Sequence, residues 1–192
     1  MRPAEPLPDD AASVLTTLAR AAIADELREP GPPASPRPVE PEWLSQPGAS
    51  FVTLTIGGTL RGCIGSLEAW RPLGADVSAN AVAAAFRDPR FPALSAAEYD
   101  RVAVEVSVLT APEPVAFTSR DDLLAQLRPG VDGLILTARG RRGTFLPQVW
   151  DELPEPVDFL AHLLRKAGLP ASYWGADVEI ERYTVTAFHE TP

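Results

Sequence analysis

Leu15, Leu18, Ala22 and Ile23 recur at the three-to-four-residue spacing of a single helical face, and Asp9 and Asp10 stand ahead of them as N-cap candidates. This spacing predicts an amphipathic helix over about 11–29. Seven prolines then fall between Pro30 and Pro47. Neither a helix nor a central strand survives that density, so 30–49 reads as an extended surface connection. The 29 residues before it are too few to fold alone, and the helix is expected to pack back on a main body over 50–190.

That body alternates strand and helix patterns. Phe51, Leu54 and Ile56 lie in a β-rich run, Gly57-Gly58 has the character of a two-residue hairpin turn, and Thr59-Leu60 begins the return strand. The Ala-rich stretch LGADVSANAVAAAFRD reads as a helix of small residues whose backbone approaches a sheet closely. Strict alternation in RVAVEVSVLT sets Val102, Val104, Val106 and Val108 on one face and Ala103, Glu105, Ser107 and Leu109 on the other. SRDDLLAQLRPG reads as a capped helix. GLILTA and GTFLPQVW flank an RGRRG turn, and PVDFLAHLLRKAGL turns Phe159, Leu160, Leu163 and Leu164 inward before Gly168. VEIERYTVTAFHE closes the chain as one strand. The order predicts a single α+β domain over 1–192, mostly antiparallel, with packed helices.

Composition narrows the function classes. Hydrophobic residues make up 45% of the 192, enough for a full core. No run approaches the ~20 apolar residues of a membrane span, and the N-terminus has no secretory pattern, so a cytoplasmic location is expected. The net charge of −9 opposes nucleic-acid binding at long range. RGRR, with Arg139, Arg141 and Arg142, is the one local exception, and it reads as a solvated hairpin turn. Cys63 is the only cysteine, and His162 and His189 are far apart, so no zinc-ligand spacing exists and neither a metal nor a cofactor is expected. A carboxylate site for a hard cation would leave no such signature.

The candidate chemistry centres on Leu60-Arg61-Gly62-Cys63-Ile64-Gly65. Glycines on both sides of a cysteine imply unusual backbone or close approach. One reading is a reactive thiol on a tight turn, with free N–H groups for an anion and Arg61 lowering the thiol pKa. The other is a small buried hydrophobe beside glycines that let strands cross. Glu105 is a carboxylate in an apolar strand, either solvated or paired with Arg61 or Arg90 and usable as a base. Asp88-Pro89-Arg90-Phe91-Pro92 is a stiff loop suited to a ligand clamp or a packed corner. Thr144 and Gln148 flank Pro147 in a similar setting. Lys166, the single lysine, suits a helix C-terminus, and a Cys63–His189 pair would have to form in space.

LRGCIGSL at 60–67, DPRFPAL at 88–94, VEVSVL at 104–109, DGLIL at 132–136, GTFLPQVW at 143–150 and FLAHLLRKAGL at 159–169 together resemble the AMMECR domain family. Its bacterial and archaeal members are called AmmeMemoRadiSam system protein A. The resemblance runs from about 10 to 190 and implies two subdomains in one compact unit, with the RGCIG segment lining a cleft. It implies Arg61, Gly62, Cys63, Gly65, Arg90, Glu105, Thr144, Gln148 and Lys166 as cleft residues. It also implies a place in a three-component modification pathway with a Memo-type protein and a radical-SAM enzyme as partners. Two functions follow as expectations. The first is a binding or adaptor module for a small ligand or partner. The second is an enzyme using Cys63 as nucleophile or acid–base group with Glu105 nearby.

Overall fold

The computed structural model describes residues 7–28 and 41–190. In chain order the elements are α1 (Ala11–Leu27), β1 (Ala49–Ile56), β2 (Thr59–Gly65), α2 (Leu73–Phe86), α3 (Ala96–Tyr99), β3 (Val102–Leu109), β4 (Glu113–Pro114), α4 (Arg120–Gln126), β5 (Gly133–Ala138), β6 (Arg141–Phe145), α5 (Pro156–Lys166), β7 (Glu179–Tyr183) and β8 (Val185–His189). The chain is α+β with antiparallel sheets, and it divides into two compact units. The first holds 1–109 and 186–192, and the second holds 110–185. Most of the expected 30–49 connection, residues 30–40, lies outside the described residues; a short 3-10 turn at Glu42–Ser45 follows it. No helix among the described residues is long and apolar enough to cross a membrane.

In the first unit the strand order is β2-β1-β3-β8. Val52, Leu54, Val104 and Val106 are fully or almost fully buried with Leu15, Ala19 and Ile23 of α1 and Val77, Ala81 and Ala84 of α2. Alanines in α2 let its backbone come close to β2: a Cβ at Gly62 would overlap the Ala84 carbonyl oxygen. The Gly57-Gly58 turn has φ of 59° and 79°, both left-handed, which is the demand a two-residue hairpin makes. Asp9 and Asp10 do not cap α1. Asp10 has helical backbone angles, φ −85° and ψ −1°, so its carboxylate is not presented in the extended geometry that capping needs.

Alternation in β3 holds through Val106 and then fails. Ser107 and Leu109 are buried while Val108 is half-buried, so both faces of that end are covered. A buried polar network fastens the start of β1 to α2. Asp76, fully buried, accepts from the Ser50 N–H at 2.8 Å, the Ser50 hydroxyl at 2.7 Å, the Asn80 amide at 2.9 Å and Arg71 Nε at 2.8 Å. Four donors on one carboxylate satisfy it without water. At the other end of the unit, Glu190 accepts from Arg20 of α1 and, at 3.3 Å, from the Val104 N–H, which ties the residue after β8 to the core.

In the second unit the strand order is β4-β7-β5-β6. Leu134, Leu136 and Ile180 bury against Phe159, Leu160, Leu163 and Leu164 of α5, the inward set that the periodicity predicts. Trp150 stacks on Phe159 at 3.7 Å and donates its indole N–H to the Asp132 carbonyl at 2.7 Å. Ser119 caps α4 by accepting from the Asp122 N–H at 3.1 Å. The β5–β6 turn is only Arg139-Gly140, with φ of 51° and 68°. Arg141 and Arg142, expected in the turn, instead begin β6, because two left-handed residues suffice for this hairpin type. The last segment is not one strand: β7 pairs with β5 and β8 joins the other sheet. Between them the Thr184 N–H donates to Thr110 Oγ1 at 2.9 Å and the Thr110 N–H to the Thr184 carbonyl at 2.9 Å, fastening the two ends of this unit.

Gly62→Ala is therefore expected to destabilise by about 2–3 kcal/mol or to prevent folding, since overpacking against main chain has no flexible side chain to absorb it. Gly140→Asn, a left-handed turn position with no atom near its Cβ, should cost less than about 1 kcal/mol. Urea unfolding midpoints of the two variants against the parent check this; similar losses in both would contradict it.

Candidate functional site

The RGCIG segment is an edge strand with a register slip. Leu54 pairs with Gly62 and Thr55 with Leu60, which leaves Arg61 as the extra residue of a bulge. The bulge directs the Arg61 guanidinium to Glu98, with Nε donating to Oε1 at 2.9 Å and Nη2 to Oε2 at 3.2 Å. Nη2 also lies 3.4 Å from the Ala93 carbonyl, while Nη1 is buried with no hydrogen-bond partner among the described residues. Glu98 accepts in addition from the Ser95 N–H at 2.9 Å and hydroxyl at 2.8 Å, forming the capping box of α3. These donors, Arg61 first, hold the Glu98 carboxyl down at about 2.

Cys63 lies across from Thr53 of β1, whose hydroxyl is 3.4 Å from the sulfur. Its main-chain groups point the other way, off the sheet edge. The Cys63 N–H donates to Asp88 Oδ2 at 2.9 Å, and Arg90 Nη2 donates to the Cys63 carbonyl at 3.3 Å. Asp88 and Arg90 are themselves joined, Nε to Oδ1 at 2.9 Å and Nη2 to Oδ2 at 2.7 Å. One acceptor and one donor, fixed by the proline-bracketed loop, thus stand where the next strand would be. Asp88 is buried, and the Arg90 guanidinium chiefly, with the Cys63 N–H behind it, keeps its carboxyl well below the usual carboxylate range against the opposing effect of burial.

This overturns two expectations. The N–H of Cys63 is not open to an anion, because a carboxylate already holds it. Arg61 is not directed to the thiol, because Glu98 holds its guanidinium. The glycines have separate reasons: Gly62 admits the α2 backbone, and Gly65 admits the Phe51 ring, whose carbons a Cβ would overlap.

Thr53 also faces Glu105 of β3 on its other side. Cys63 and Glu105 therefore share a sheet face but stand two strands apart, about 10 Å at ordinary strand spacing. Neither Arg61 nor Arg90 partners Glu105. Its carboxylate instead accepts from the Ser107 hydroxyl at 3.3 Å and lies 3.3 Å from His189 Nδ1. His189 is mostly exposed and reaches Glu105, not Cys63, so no nucleophile–base pair forms. Thr144, Gln148 and Lys166 belong to the second unit. The Thr144 hydroxyl donates to the Leu134 carbonyl at 2.8 Å, Gln148 is exposed, and the Lys166 ammonium sits 5.0 Å from the Phe145 ring. Asp88 and Thr53 carry much of the local geometry and were not singled out by sequence. An acid two residues before Arg90 in a proline-bracketed loop was the available signal for Asp88. Among the described residues, no group of three or more His, Cys, Asp or Glu is placed to hold a metal ion.

Comparison with known proteins supplies the relationship. The AMMECR1 family model matches residues 16–188. A protein of Methanothermobacter thermautotrophicus is 40% identical over 187 residues, covering 96% of this chain and 97% of its own. A protein of Thermotoga maritima is 40% identical over 156 residues, covering 78% and 82%. Among solved structures, the uncharacterised protein PH0010 from Pyrococcus horikoshii matches with a TM-score of 0.79 and 34% identity, covering 96% of this chain and 93% of its own.

Glu98 has a folded pKa depressed to about 2 and Asp88 is depressed as well, so both contribute stability above the unfolded carboxylate range. That contribution is lost as pH falls from about 4.5 through the folded values. Glu98→Gln is expected to lower stability at pH 7 and to flatten the loss between about pH 4.5 and 2. Urea midpoints at several pH values measure it, and a parent-like slope in the variant would refute the assignment.

Proposed function

Because the chain belongs to the AMMECR1 family, we propose that it works as a binding or adaptor module. In this reading it is component A of a three-component AmmeMemoRadiSam modification pathway, with a Memo-type protein and a radical-SAM enzyme as partners. The occupied backbone of Cys63 carries the reading. Its N–H is held by Asp88 and its carbonyl by Arg90, so no oxyanion hole is available at the thiol. The Thr53 hydroxyl lies 3.4 Å from the sulfur, and among the described residues no base is within hydrogen-bond reach of it. A thiol enzyme needs both features. What the segment does present is Arg90: its side chain is 54% exposed, yet it is anchored by a buried carboxylate. A cation held in one orientation at a sheet edge suits recognition of a carboxylate or another small anionic group.

Isothermal titration of the full chain against the Memo-type protein of the same genome tests this. Cys63→Ser is expected to bind within twofold of the parent, and Arg90→Glu to weaken binding at least tenfold. Absence of binding by the parent would remove the adaptor reading. Loss in Cys63→Ser with Arg90→Glu unaffected would favour the thiol enzyme instead.

A further inference from the structure

The edge strands of the two sheets are β2, β8, β4 and β6, and three of them carry a device that discourages a further strand. At β2 the Asp88 and Arg90 side chains occupy the N–H and carbonyl of Cys63. β4 is two residues long and contains Pro114. β6 opens with the exposed Arg141 and Arg142. β8 has none of these: Val185-Thr186-Ala187-Phe188-His189 contains no proline, acid, lysine or arginine. Its register on β3 follows from contacts at its two ends. The Thr110 N–H donates to the Thr184 carbonyl at 2.9 Å, and the Glu190 N–H to the Val104 carbonyl at 3.0 Å. Six steps separate these contacts on either strand, from 104 to 110 and from 184 to 190, so the ladder between them has no net slip. Alternation then turns the main chain of Thr186 and Phe188 toward β3, and that of Val185, Ala187 and His189 away from it. Among the described residues, no group bonds to the main chain of those three on the outward side. Thr186, Ala187 and His189 are exposed, and Val185 and Phe188 are half-buried.

We propose that the β8 edge is the interface for a second copy of this chain, with the two β8 strands pairing antiparallel across a two-fold axis at Ala187. Two four-stranded sheets then join into one continuous sheet. Only outward main chain can exchange hydrogen bonds, so Val185, Ala187 and His189 of one copy must face the same set in the other. Of the registers that do so, the one centred on Ala187 pairs all five residues of the strand. It sets Ala187 against its own copy, Val185 against His189 and Thr186 against Phe188. The strand is thus its own complement. A small side chain lies on the axis, and no pair places like charges opposite each other. His189 is already turned to Glu105, 3.3 Å away on the outer face of the sheet. A seam of five residues buries less than the roughly 1,200–2,000 Å² of a standard interface, so the association is weak and reversible. It lies at the opposite edge of the sheet from Cys63, and is therefore independent of the anion recognition assigned to Arg90.

Sedimentation equilibrium of the full chain from about 5 to about 500 µM, a window suited to weak association, tests this. A monomer–dimer equilibrium is expected. It should tighten between about 50 and about 300 mM NaCl, because the seam is uncharged while two copies of net charge −9 repel at low salt. Ala187→Lys sets two ammonium groups across the axis and should lower the association constant at least tenfold, with an unchanged circular dichroism spectrum. Ala187→Glu should do the same, and an equimolar mixture of the two variants should recover association. In the parent, hydrogen exchange at the Ala187 amide should slow as concentration rises. A chain that stays monomeric throughout overturns the proposal, as does a dimer indifferent to Ala187→Lys. Failure of the mixture of folded variants to associate rejects the Ala187-centred pairing, and the proposal with it. Exchange at Ala187 that does not change with concentration also overturns it, because the contact would then lie elsewhere.

Discussion

Everything in the first unit depends on how close α2 comes to β2. The approach is possible only because Gly62 has no side chain and the facing turn of the helix is built from alanine. Once the helix backbone rests on Gly62, alternation sends Cys63 to the opposite face, and the bulge beside it redirects Arg61. The glycines beside Cys63 thus serve packing first. The chemistry of the segment is a consequence of where the packing leaves its neighbours.

Charge burial is handled with the same economy. Asp76 and Asp132 are fully buried and Asp88 is almost so, yet each meets a guanidinium and at least one main-chain N–H. Such arrangements satisfy a desolvated carboxylate with hydrogen bonds, and removing one partner would leave the other uncompensated. At Asp88 the planar fork of Arg90 satisfies both carboxylate oxygens, which an ammonium cannot do. At Cys63 the device has an added effect. Asp88 and Arg90 close an edge that would otherwise invite another strand.

Much of the fold was legible as pattern. The inward face of α5, the Ser119 cap, the Gly57-Gly58 turn and the Ala-rich α2 all rest on local periodicity or on backbone geometry that few residues can adopt. The site was less legible. Glu105 stood out as a carboxylate in an apolar strand, but its partners, Ser107 and His189, come from two residues and eighty-four residues away. Asp88 was visible only as part of a stiff loop. Its role depends on a strand 25 residues earlier lying with its edge toward that loop.

The sequence by itself determined most element types, the inward face of α5, the Gly57-Gly58 turn and the family likeness, because each is written in short stretches of pattern. Tertiary structure decided the rest. It divided VEIERYTVTAFHE between two sheets at Thr184, moved Arg141 and Arg142 out of the turn, gave Arg61 to Glu98 and closed the backbone of Cys63 with Asp88 and Arg90. These outcomes turn on which hydrogen-bonding groups meet across long chain separations. A one-residue bulge or a break between strands changes them without changing the pattern of apolar and polar positions.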